Sequence, residues 1–114
     1  MKIVKEKIEI SELAEMAKKM HGNLVKAIVD VDKKIMAVDA DMHSDLFEFL
    51  MQEEASEPKN LWGINIYPEK EGVDFIEFDS MMNLRPSLGN RTRGVESEEL
   101  RNRIIEIVNN LVKK

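Results

Sequence analysis

The chain has 114 residues, 43% of them hydrophobic and 34% charged, with no cysteine and a formal net charge of −5. That length makes one domain able to bury roughly 65% of its unfolded surface, and the missing cysteine excludes disulfides, thiol catalysis and zinc–thiolate sites and fits the cytoplasm. The acidic balance, with only one Trp, one Tyr and four Phe, argues against a dedicated nucleic-acid binder, and neither a membrane span of ~18 apolar residues nor the apolar stretch of a signal peptide is present.

Residues 2–10 alternate charged and apolar side chains and predict an edge strand, because lysines are frequent in it. Ser11 is a good N-cap for a first helix, in which Leu13, Met16, Ala17 and Met20 form one apolar face and Gly22 follows as the terminating glycine. Residues 24–32 and 35–41 predict a hairpin turning at Asp32, Lys33 and Lys34, with Val25, Ala27, Val29 and Val31 sharing one face of the first strand and Met36, Val38 and Ala40 one face of the second. Ser44 or Asp45 can cap a second helix with Leu46, Phe47, Leu50 and Met51 as its buried stripe, and Pro58 bars its continuation.

Trp62, Ile64 and Ile66 alternate with Gly63, Asn65 and Tyr67 in the first strand of a second hairpin, whose return strand is expected over 75–83. Pro68 and Gly72 bracket its turn. A last helix starts near Ser97, with Leu100, Ile104, Ile107, Val108 and Leu111 on one face. The order β-α-β-β-α-β-β-α predicts an α+β domain over 1–114, with a mostly antiparallel sheet and the helices packed on one face.

All five arginines lie between Arg85 and Arg103, and no acidic residue interrupts 84–94. In the loop 84–96, Gly89 and Gly94 permit close backbone approach, and Arg85, Arg91 and Arg93 can grip a phosphate or carboxylate bidentately. Asn90 belongs to the same loop, and Asn65, Tyr67 and Asn83 are candidate polar neighbours. The competing reading pairs the arginines with Glu77 and Asp79 on the sheet. Asp39, Asp41 and His43, followed by Asp45, form a second candidate as alternate residues of an extended segment with metal-ligating groups. A nucleophile set of Ser80, His43 and Asp79 lacks the glycine elbow around its serine.

The runs Trp62-Gly63-Ile64-Asn65-Ile66-Tyr67-Pro68 and Asn83-Leu84-Arg85-Pro86-Ser87-Leu88-Gly89-Asn90-Arg91 resemble a small family of archaeal and bacterial proteins catalogued as a domain of unknown function. The likeness runs over nearly the whole chain and brings no activity, cofactor or site residue; it implies a free-standing protein. From the residues themselves, the leading expectation is a binding domain for an anionic small molecule or acidic protein partner, held by the arginine–glycine loop. A divalent-metal enzyme using Asp39, Asp41, Glu77 and Asp79 is the second. An oligomer or partner interface on the exposed sheet face is the third.

Overall fold

In the computed structural model, which describes residues 1–114, the elements run β1 (Lys2–Val4), β2 (Ile8–Glu9), α1 (Ile10–Met20), β3 (Val25–Asp30), β4 (Ile35–Val38), α2 (His43–Glu54), β5 (Leu61–Ile66), β6 (Ile76–Glu77), α3 (Glu98–Leu111) and β7 (Val112–Lys113). Short 3-10 turns fill Pro58–Asn60, Gly72–Asp74, Met81–Asn83 and Pro86–Leu88. Five strands form a sheet of order β1-β4-β3-β5-β6, every neighbour antiparallel. A separate parallel pair joins β2 to β7 and ties the two ends of the chain together. This is an α+β fold with a mostly antiparallel sheet. No helix is long and apolar enough to cross a membrane.

The helices do not share one face. Leu13 and Ala17 of α1 and Ile104 and Val108 of α3 pack with Val25, Ala27, Val29, Trp62, Ile64 and Ile66. Leu46 and Leu50 of α2 pack on the opposite side with Ile28, Ala37 and Leu61. The central strands are apolar on both sides, and every residue of β4 and β5 is buried. Each large aliphatic side chain so buried stabilises the fold by about 1.5–3 kcal/mol, so the Ile28 side of the sheet needs its own cover, which α2 supplies.

Several boundaries also differ from expectation. Residues 2–10 split between two sheets, and β1 does lie at an edge. Helix α1 begins before Ser11, and α2 before Ser44 and Asp45, and neither start carries a side-chain cap. Ser97 does cap α3, its Oγ accepting from the Leu100 N–H at 3.1 Å. In the first hairpin Asp30 shapes the turn, its Oδ1 accepting from the Asp32 and Lys33 amides at 3.0 Å. The return strand of the second hairpin pairs only at Ile76 and Glu77. Beyond them the chain leaves the ladder, and this departure makes the candidate site.

Candidate functional site

Strand β6 pairs with β5 only at Asn65 and Ile66, so β5 residues 61–64 have no strand on that side. Unpaired buried backbone groups are costly, and here side chains take the missing strand's place. Asn83 Oδ1 accepts from the Gly63 N–H at 2.7 Å, and Asn83 Nδ2 donates to the Gly63 carbonyl at 2.9 Å. Two residues on, the Arg85 guanidinium donates to the Leu61 carbonyl at 2.5 Å and the Pro58 carbonyl at 2.6 Å. The i, i+2 spacing of Asn83 and Arg85 thus matches that of Gly63 and Leu61. The guanidinium also lies 4.1 Å from the Trp62 ring centroid, a cation–π stack. Its burial lowers its proton affinity below that of an ordinary arginine.

Gly63 is required sterically. A Cβ at this position would stand 2.5 Å from Ser80 Cβ and 2.6 Å from its Oγ. Ser80 is buried, and its Oγ accepts from the Met82 N–H at 3.1 Å, which starts the Met81–Asn83 turn.

The rest of 80–94 is closed on itself. The Ser80 N–H donates to the Arg93 carbonyl at 3.0 Å, and Arg85 and Asn90 exchange two backbone hydrogen bonds of 2.9 and 3.2 Å. Gly89 ends the Pro86–Leu88 turn at φ 78, the left-handed conformation glycine adopts without penalty. At the centre, the buried Asn90 Nδ2 donates to the carbonyls of Asn83 (2.7 Å), Thr92 (3.1 Å) and Gly94 (2.8 Å), two hydrogens shared over three acceptors. Its Oδ1 accepts from the Glu96 N–H at 2.9 Å. Arg101 of α3 fixes the exit by donating to the Val95 and Glu96 carbonyls.

The three arginines of the loop therefore part company, correcting the expectation of a shared grip. Arg85 faces inward onto carbonyls. Arg93 Nε pairs with Asp79 at 2.8 Å, a partner the competing reading named. Arg91 is exposed, and its backbone N–H donates to the Glu96 carboxylate. None of the four surface concavities is lined by any of the three. Gly89, Asn83 and Asn90 shape the loop from within. Asn65 Nδ2 and the Tyr67 hydroxyl both donate to Glu77 Oε1 at 2.9 Å. Burial, then the Glu77 bond, raises the Tyr67 pKa. Also exposed in the loop that carries Arg91 and Arg93 are Met81, Leu84 and Leu88, by 61%, 42% and 46%. Leu84 and Leu88 are legible as large apolar residues outside any strand or helix pattern, whereas Met81 is hidden within the return strand expected over 75–83.

A family model for proteins of unknown function matches residues 2–111. The chain belongs to the DUF5674 family. No curated protein and no solved structure matches it.

In this DUF5674 protein the second candidate does not assemble, because its members are not alternate residues of one strand. Asp39 takes a left-handed φ of 72. Asp41 lies 3.5 Å from His21. His43 is the first residue of α2, buried, with Nε2 2.8 Å from the Ile64 carbonyl. Burial, the largest influence, lowers the His43 pKa, and Lys26 and His21 add to this against the Ile64 bond and Asp79. No three His, Asp or Glu side chains lie close enough together to hold a metal ion. The Ser80 set fares no better: Oγ is engaged by Met82 N–H and His43 Nε2 by Ile64.

Proposed function

We propose that this DUF5674 domain is a protein-interaction module whose recognition surface is the 80–94 loop, and that its partner presents carboxylates beside apolar side chains. The observation that carries this reading is the division of labour within the loop. Asn83, Arg85 and Asn90 are spent inside it on backbone groups, while Met81, Leu84, Leu88, Arg91 and Arg93 stay exposed. A long connection packed by its own side chains is a frequent carrier of function. A loop already ordered loses little entropy on binding.

The Asp79 pairing engages the Arg93 Nε side and leaves the terminal guanidinium donors for a partner, where charge-assisted bonds to carboxylate or phosphate are strong. Ligand pockets bury most of a small molecule, whereas this surface has no concavity around its arginines. An extended acidic partner suits it better than a free metabolite. A composition without cysteine supports the cytoplasm as the place of this interaction.

Selection of a random peptide library on the immobilised protein tests the proposal. Sequences pairing Asp or Glu with bulky apolar residues are expected to be enriched, to lose affinity in salt, and to fail on Arg91→Glu/Arg93→Glu. Enrichment of basic peptides, or equal binding to that variant, would contradict it.

A further inference from the structure

The largest concavity of the molecule lies away from the loop, between the β5–β6 connection and α3. It has a volume of about 360 Å³ and is lined by Gly72, Val73, Phe75, Ile76, Ile105, Asn109 and Lys114. Phe75, 2% exposed, forms the floor, and Ile76 and Ile105 form half-buried walls. The Lys114 ammonium sits 4.0 Å from the Phe75 ring centroid. It is the one charged side chain of the lining, and Asn109 is the one side-chain amide. The neighbouring Lys113 is paired with Glu9; Glu71 and Asp74 flank the turn without lining the concavity.

Val73 supplies the second observation. It stands 94% exposed at the rim, in the Gly72–Asp74 turn, where nothing in the chain covers it. Gly72 enters that turn at φ 60. An apolar residue held in water beside an apolar hollow gains burial once the hollow is filled. The volume is at the small end of the range for ligand sites.

We infer that this concavity is a binding site for a medium-chain aliphatic monocarboxylate, its chain against Phe75, Ile76, Ile105 and Val73 and its carboxylate at Lys114 and Asn109. The aliphatic chain follows from the apolar lining and the small volume, and the carboxylate from the Lys114 ammonium over Phe75. No covalent step is involved.

Octanoate is the probe, with butyrate and octanol as controls, read by thermal unfolding and by ¹⁵N–¹H spectra of the whole chain. Octanoate should raise the melting temperature saturably, exceed both controls, and shift amides at 72–76, 105, 109 and 114. Ile105→Glu, at a half-exposed position, should abolish the response. Lys114→Gln should leave octanoate no better than octanol. The inference is overturned if octanoate gives no saturable shift, if its effect survives Ile105→Glu, or if the shifted amides lie elsewhere.

Discussion

The Asn83 side chain and the Gly63 backbone form a bridge that imitates two strands, with one amide group accepting at 2.7 Å and donating at 2.9 Å. Asn83 Nδ2 also donates to the Arg93 carbonyl at 3.0 Å, so a single fully buried side chain joins the sheet edge to both arms of the loop. Asn83→Ala leaves the buried Gly63 N–H and carbonyl without these partners and the Arg93 carbonyl with only the Ser80 N–H, and should destabilise the protein by on the order of 3 kcal/mol. Chemical unfolding measures this, and the Gly63 amide should also exchange with solvent faster in the variant.

Gly63 and Ser80 should be coupled. Gly63→Ala drives a Cβ to 2.5 Å from Ser80 Cβ, overpacking that typically costs about 1–3 kcal/mol. In a Ser80→Gly background the obstructing atoms are gone, and the same substitution should cost much less. A double-mutant cycle by urea unfolding reads this interaction; simple additivity would refute the packing account.

Arg85 and Arg91 are six residues apart and have opposite roles. Arg85→Ala removes hydrogen bonds from a charged group to the Pro58 and Leu61 carbonyls and should cost about 2–3 kcal/mol. Arg91→Ala, at an exposed side chain, should stay within roughly 0.5 kcal/mol of the parent. Because the guanidinium stacks on the only tryptophan, Arg85→Ala should also change Trp62 emission, whereas Arg91→Ala should not.

Much of the fold was legible in the sequence, because period-two and helical patterns report one-sided burial directly. The Val25/Ala27/Val29 and Trp62/Ile64/Ile66 alternations marked one core face, and Ser97 marked the start of α3. The second core is not legible because Ile28, Ala37 and Leu61 fall on the alternate positions of strands whose other residues already make a complete inward face. Strand periodicity cannot say whether the remaining side meets water or a helix. The loop escaped for another reason. Arginines and asparagines read as ligand-binding chemistry, yet a side chain that replaces a backbone partner has the same identity. Only the spacing of Asn83 and Arg85 against Gly63 and Leu61, visible once β5 is placed, separates the two uses.

His43 gives a pH dependence with a definite sign. Its folded pKa lies below the ordinary value of 6.5, chiefly through burial. Below pH 6.5 the unfolded chain therefore takes up a proton that the folded one resists, and stability falls with decreasing pH between 6.5 and the lowered folded value. Above 6.5 both states are neutral at this residue, and its contribution is constant. Unfolding free energies across that window should slope downward towards acid in the parent. His43→Gln, which retains a donor for the Ile64 carbonyl, should flatten the slope.

Recognition by the 80–94 loop requires it to be a fixed platform held by Asn83, Arg85 and Asn90, and backbone ¹⁵N relaxation tests that most directly. Order parameters across 80–94 should match those of β3 and β5, near 0.85, with the exposed side chains of Arg91 and Arg93 carried on a still backbone. Values below about 0.6 over the same residues would mean that the loop is flexible on the nanosecond timescale and would contradict the account.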